Sequence, residues 1–598
     1  MNILKLPRYK TMNLGKVYFF SLYLICSFSL FAQPDWQTVF EKSGYVATPR
    51  YAESMEYFNR FAQETPSAKM ISLGKSPQGR DLNCLIVSTD GAFTPEAARK
   101  TGKPVMLIVN GIHSGEIEGK DACMLLLRDI LVTKSQAQLL DSVTLLVIPI
   151  FSVDGHERFA AFNRINQNGP VEMGWRTTAQ NINLNRDWLK ADAPEMQELL
   201  GLIKAWNPDF FVDTHTTDGA DYQYTVTYGL EKFGNIETGL RTIVNKEFIP
   251  YIEKRVPEKG FLIAPYVGFR EGEPKSGLVD GPATPRFSTG YASVRNRIGL
   301  LVETHMLKPY KDRVYATKAI LEATLEYVHA NAAKIVSANE SAELNAMQTF
   351  SVAHQAFPVQ FKSTGESTKF HYRGYVYRYD SSAISGTRKT VYTHEPFDED
   401  IPYYNSIMIA DSVVLPHAYI IPREWSLLVD RLRLHGVVVT ETDRPVRLSV
   451  TKYKFRDVKF ATGPYEGRQG VTCKYDAFTD TVDVPAGTFV VPVHQQSVRI
   501  IAHLLEPKSA DSFLRWGFMN AIFEQKEYFE DYVMERIAPD MLAQNPQLKK
   551  EFEEKLATDP KFRDDPNQRL NFFYERSPYW DKSKNVYPVY RLETEQGL

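Results

Sequence analysis

The residues most able to do chemistry sit where apolar runs stop. Pro104 to Val109 reads PVMLIV, a short β-branched run with a proline at its entry, and it predicts a strand buried on both faces of a sheet. The run breaks at Asn110-Gly111 and delivers His113 and, three residues later, Glu116, where a helix from about Glu116 to Leu131 is expected to begin. A neutral imidazole nitrogen and a carboxylate oxygen suit Zn²⁺, and a catalytic zinc site needs one more protein ligand, leaving the fourth position to water. By itself His-x-x-Glu is equally the pattern of a loop-bonding histidine and a carboxylate that complements a helix N-terminus.

Other chemistry-bearing residues repeat that placement. His215 follows the run PDFFVDT, Glu303 closes IGLLVE, and Asp154-Gly155 follows LLVIPIF. Taken singly, His215 reads as a hydrogen-bonded loop histidine and Glu303 as a surface carboxylate paired with Arg295 or Arg297. Taken together, four chain-distant strands would point polar groups at one place, and buried ionisable residues at strand ends need partners or a function. Between them, GWRTTAQNINLNRDW supplies Arg176, Asn185 and Arg186, whose guanidinium and amide donors suit a carboxylate or a developing oxyanion.

These side chains need a scaffold, and the pattern predicts one. Tyr51, Met55, Phe58 and Phe61 recur at helical spacing; Met70–Leu73 and Leu82–Ser88 flank KSPQGRD as a hairpin; strands are expected at Val143–Ile150, Asp209–Val212 and Gly299–Glu303, with a helix near Ala193–Trp206. Strands alternating with helices argue for an α/β fold, a mixed, mostly parallel sheet flanked by helices, with its site at the strands' carboxyl ends. Beyond a solvated helix or linker in SANESAELNAMQ, residues 348–505 alternate like a β-rich accessory domain with one helix near Glu424–Leu434. A long helix is expected over Ser509 to about Ile537, and 506–598 reads as a helical tail.

Composition sets limits on the rest. At 598 residues the chain suggests about two to four domains. A hydrophobic content of 43%, a charged content of 24% and a formal net charge of −2 argue against a nucleic-acid or polybasic membrane binder. Residues 1–32 carry Lys5, Arg8, Lys10 and Lys16 ahead of an apolar segment and no acidic residue, the layout of a secretory signal peptide cleaved after Ala32. Secretion or a periplasmic location follows, with no transmembrane span once the signal is gone. Cys84, Cys123 and Cys473 are too widely spaced for a disulfide framework, and the first two sit in apolar contexts.

The motifs GKSPQGRDL, HSGE, a DG after a strand, WR, NLNRDW, DTH and LLVE come in one order between about Tyr45 and Ala332, and in that order they resemble the zinc carboxypeptidase family, relatives of carboxypeptidase A, here as a bacterial secreted member with a C-terminal extension. The resemblance implies a catalytic domain over 33–340. It makes His113, Glu116 and His215 the ligands of one Zn²⁺ per chain, and Glu303 the carboxylate that activates a zinc-bound water and passes its proton to the leaving amine. It gives Arg176 to the oxyanion, and Asn185 and Arg186 to the terminal carboxylate of a peptide substrate. Tyr291, in FSTGYASVR, stands for the family's mobile tyrosine. Two departures matter: Asn183 stands where many relatives have an aspartate that orients a zinc-binding histidine, and Glu271–Ser288 lacks a clear match. A cell-wall peptide amidase or endopeptidase, an N-acyl amino acid deacylase on the same scaffold, and an inactive peptide-binding module remain the alternatives.

Overall fold

The computed structural model describes residues 35–595, so the signal-peptide expectation for 1–32 lies outside the described residues. Its centre is an eight-stranded sheet made from β1 (Ala68–Lys75), β2 (Asp81–Val87), β3 (Val105–Asn110), β4 (Thr144–Ile148), β5 (Phe210–Thr217), β6 (Val226–Leu230), β7 (Ile263–Pro265) and β9 (Ile298–His305); β8 (Leu278–Val279) belongs elsewhere. The order is β1-β2-β4-β3-β5-β9-β6-β7, and β4, β3, β5 and β9 run parallel at its middle. Every residue of β3, β4 and β5 is buried; β3 and β4 accordingly read as nearly continuous apolar runs, while β5 turns polar after Val212, where it carries its side chains to the site.

The two faces of this sheet belong to different cores. On one, Met106, Ile108, Val212 and Leu300 pack under the helices Tyr51–Glu64, Glu118–Leu127 and Tyr310–Ala330. On the other, Leu107, Val109 and Phe211 pack with helix Pro194–Trp206, and that core runs without a break into the C-terminal half through Leu428, Val491, Ile501 and Phe513.

The C-terminal half is rich in sheet. A six-stranded sheet contains the long hairpin Val446–Phe460/Val471–Val484, and a second hairpin, Thr368–Ser381/Arg388–Tyr404, pairs with β8 through Tyr403↔Leu278 and Tyr404↔Val279. SANESAELNAMQ lies in helix Ala332–Met347, anchored by Asn339, whose side-chain amide donates to the carbonyl and carboxylate of Asp209. The helical tail is made of short helices, three of which start at a proline capped by the side chain before it: Asn545, Asp559 and Asp565. The chain then returns as strand Tyr590–Leu592 to the six-stranded sheet.

One expectation is overturned. No single helix spans Ser509–Ile537: a helix ends at Leu505, the segment to Met519 is turns, and the next α-helix begins at Asp531. The apolar residues Phe513, Leu514 and Met519 are buried, yet by a folded-back segment rather than a helical face. Gly517 at φ +75° shows why: a left-handed residue interrupts any helix there.

Candidate functional site

Three of the four strand ends do converge. Asn110 at the end of β3 sits beside Thr214 of β5, and His215 of β5 lies in register with Glu303 of β9, so the middle parallel strands carry their polar residues to one edge. The Gly111–Glu116 turn then swings His113 and Glu116 over that edge. Gly115 is required here, because a Cβ would lie 2.6 Å from the Arg164 stem and 2.8 Å from the Gly174 carbonyl. Asp154 goes elsewhere: it accepts from Ser76 Oγ at 2.7 Å, Arg80 Nη1 at 2.7 Å and the Gln78 amide at 3.0 Å, tying down the KSPQGRD turn.

His113 Nδ1 and His215 Nδ1 lie 3.1 and 2.9 Å from the same oxygen, Glu116 Oε2, and all three residues are buried. Each ring's other nitrogen is occupied: Asn183 Oδ1 is 2.9 Å from His113 Nε2, and Asp213 Oδ2 is 2.8 Å from His215 Nε2. Both imidazoles therefore face inward through Nδ1. One donor atom from each of His113, Glu116 and His215 lies within 4.8 Å of the other two, the nitrogen–nitrogen–oxygen set that fits zinc, with outer partners that fix each ring.

Charge is unevenly distributed around this group. Burial works against ionising Glu116, but His113 and Arg164 hold its carboxyl well below the usual range. Burial likewise opposes a charged His215, and Asp213, Glu116 and Glu303 outweigh it to raise that ring well above the usual imidazole value. Glu303 is pushed up to about 8, by burial first, with Glu116, Asp213 and Asp218 adding to it and His215 pulling back. Its Oε2 is buried and has no hydrogen-bond partner. A divalent cation alongside would restore its ionisation.

The same cleft also carries cations. Arg176 Nη1 and Arg164 Nη2 are 3.1 and 2.8 Å from Glu116 Oε1. Arg186 lies over the Phe287 ring at 4.4 Å, donates through Nη1 to the Asn185 carbonyl at 2.7 Å, and among the described residues no carboxylate pairs with it. Asn185 is buried with its amide oxygen unpartnered. These side chains line one cleft of about 450 Å³ with Thr217, Leu230, Tyr266, Asp280, Leu301 and Glu303.

Tyr291 does not belong to it. Its ring is fully buried against Trp188, and its hydroxyl lies 3.1 Å from His435 Nδ1 in the core. It sits in helix Ser288–Val294, which packs on β9 and turns the ring away from the cleft. The tyrosine that lines the cleft is Tyr266, just after β7, whose hydroxyl donates to no carboxylate but lies 3.2 Å from Thr217 Oγ1.

Residues 54–228 match the family model described as zinc carboxypeptidase. That stretch is a zinc carboxypeptidase domain within the N-terminal half of the chain. Carboxypeptidase 2 of Trichophyton rubrum is 22% identical over 491 residues, covering 79% of this chain and 84% of the relative. Probable carboxypeptidase 2 of Arthroderma benhamiae is 21% identical over 457 residues, covering 73% of this chain and 79% of the relative. Among solved structures, carboxypeptidase A from Helicoverpa armigera aligns at 16% identity with a TM-score of 0.37, covering 54% of this chain and 83% of that one.

The cleft uses three lining or backing residues that the sequence reading did not single out. Asp213 was legible in principle, since it precedes His215 by two positions on a strand and so shares its face. Arg164 comes from a loop and Tyr266 from a strand end, and neither carries a local signal.

Proposed function

We propose that the protein is a zinc metallocarboxypeptidase that removes the C-terminal residue of a peptide. The observation that carries this reading is the buried His113–Glu116–His215 group beside the unpartnered Glu303 oxygen, facing Arg186 across a single cleft. His113, Glu116 and His215 would hold Zn²⁺, which would supply Lewis-acid polarisation of a scissile carbonyl and make a nearby water acidic.

The remaining work falls to the chain's own groups. Glu303, whose buried Oε2 has no competing donor, takes a proton from the attacking water and gives it to the leaving amine. Arg176 keeps donors free of Glu116 for the oxygen on which negative charge develops. Arg186, with its charge unpaired and its Nη1 anchored on Asn185, receives the substrate's terminal carboxylate, and Asn185 is the amide at hand to share it. Asn183 and Asp213 hold the two imidazoles so that Nδ1 faces inward.

A peptide library with free and amidated C-termini and with L-, D- and γ-linked residues, digested by zinc-loaded enzyme and by a chelated control, tests this by mass spectrometry. Chelator-sensitive loss of single residues from free acids is expected. Internal cleavage, or action confined to D-containing or γ-linked peptides, would transfer the assignment to a cell-wall amidase or endopeptidase. The basic and apolar residues of 1–32 support export to a secreted or periplasmic location; the mature N-terminus, read by mass spectrometry, is expected next to Ala32.

A further inference from the structure

The hairpin Val446–Phe460/Val471–Val484 of the C-terminal half ends in a turn that touches the substrate side of the cleft. At its tip Tyr465 and Arg468 exchange backbone hydrogen bonds of 2.8 and 3.1 Å around Glu466 (φ +50°) and Gly467 (φ +77°), a two-residue turn of the kind that favours Asn-Gly. Glycine adopts such a conformation freely, whereas glutamate is strained in it. What Glu466 gains is a contact: its Oε2 accepts from the Asn183 amide at 3.2 Å. Tyr465 offers its hydroxyl oxygen to Arg186 Nε at 3.2 Å, and Arg468 forms a two-bond pair with Asp192, at 2.6 Å for each bond.

The tip is braced from behind. Tyr465 stacks on Trp516 with 9° between the rings, and Arg286, from the loop that lines the cleft, lies 4.7 Å over that same Trp516 while bonding Asp511 at 2.6 Å. One patch of the C-terminal half therefore grips both segments that carry substrate-facing residues, 183–192 and 280–288.

We propose that the Ala461–Gly470 turn is part of the substrate site, with Tyr465 and Glu466 acting as positioning residues that hold Arg186 and the Asn183–Asn185 segment for a terminal carboxylate. This rests on the carboxylate role given to Arg186 above. Tyr465 fixes one edge of the guanidinium by taking up Nε, Phe287 covers one face, and the Asn185 carbonyl takes Nη1. The remaining Nη donors are then presented to the substrate in a set orientation, which reduces the ordering cost of binding.

Steady-state kinetics on an N-acylated dipeptide acid test this, using Tyr465→Phe, Glu466→Asn, Arg186→Ala and the Tyr465→Phe/Arg186→Ala double variant. Tyr465→Phe keeps the stacking on Trp516 and removes only the hydroxyl; KM is expected to rise about 3- to 10-fold with kcat little changed. Glu466→Asn creates the preferred Asn-Gly pair but is too short to reach Asn183, so its melting temperature should hold or rise while KM rises, a divergence that a merely structural role would not give. Arg186→Ala should raise KM by about 10- to 100-fold, and Tyr465→Phe should then add nothing. If Arg186→Ala raises KM but Tyr465→Phe and Glu466→Asn leave it unchanged, the turn is structural and the inference is overturned. If Arg186→Ala itself leaves KM unchanged, the carboxylate reading fails first and takes the inference with it.

Discussion

The cleft has two walls of different construction. On the metal wall, His215 and Glu303 stand side by side on neighbouring parallel strands, and their backing residues Asp213 and Asn183 come from the same half of the chain. On the substrate wall, Arg186 and Asp280 are held from the C-terminal half by Tyr465 and Tyr403, and Arg286, in the loop behind that wall, is held by Asp511. On the proposed function, the chemistry rests mainly on the sheet and the turn that follows β3, while recognition rests more heavily on the interface with the C-terminal half. Changes on the first wall should therefore appear in kcat or metal affinity, and changes on the second in KM.

The sharpest test of the division is Glu303→Gln. It keeps the size of the side chain and removes the base, so kcat should fall by at least about 10²-fold while KM and zinc content stay near wild type. A variant that instead raised KM with kcat preserved would move Glu303 to the substrate wall and collapse the distinction.

A second test asks whether the interface is truly one core. Leu428 is fully buried in the cluster that joins the sheet's second face to the C-terminal half. Leu428→Ala should cost about 2–5 kcal/mol, read as a shift of one cooperative unfolding transition. Two separate transitions in a denaturant titration, only one of them shifted, would mean that the halves fold independently and that the substrate wall is merely docked.

The same contrast explains what could be read from the sequence. The metal wall was legible because strand period and strand ends are local: apolar runs such as PVMLIV and IGLLVE announce buried parallel strands, and whatever follows them lands at one edge. Asp154 shows the limit of that rule, since it also follows a strand yet turns back to the Ser76–Arg80 hairpin. The substrate wall was not legible because its geometry depends on pairings such as Arg186 with Tyr465, residues 279 positions apart, which no periodicity encodes. Tyr291 was misplaced for the same reason. The family resemblance, which implies a mobile tyrosine ahead of Glu303, placed it at the site, but its partner His435, which holds it in the core, comes from the other half.

Asp213→Asn probes the metal wall more gently. The amide keeps the size of the carboxylate but withdraws the charge beside His215 Nε2, so zinc affinity measured by chelator competition should drop about 10- to 100-fold. KM for a free-acid peptide in excess zinc should stay unchanged. An equal loss in KM would show that the metal wall and the substrate wall are coupled through β5.

A last test lies where the two halves meet, at His435, and its effect at pH 7 is the smallest expected. Its Nε2 is 2.8 Å from the Leu189 carbonyl, its Nδ1 faces the Tyr291 hydroxyl, and Arg295 donates to its backbone carbonyl at 3.0 Å. Burial, with Arg295 and Arg431 nearby, pushes the ring down to about 3, so it stays neutral in the folded protein. An unfolded chain takes up that proton near pH 6.5. The unfolded state therefore binds more protons between those values, and the stability that a neutral His435 provides is complete above about pH 6.5 and is lost progressively as pH falls towards 3. One such group contributes a slope of about 1.4 kcal/mol per pH unit. Urea unfolding of wild type and His435→Gln from pH 7 down to pH 4 should give curves that converge as pH falls, because glutamine can still donate to Leu189 but does not titrate. Parallel curves would mean that His435 is already protonated in the fold or exposed to water, and that the interface behind Arg186 is looser than its packing indicates.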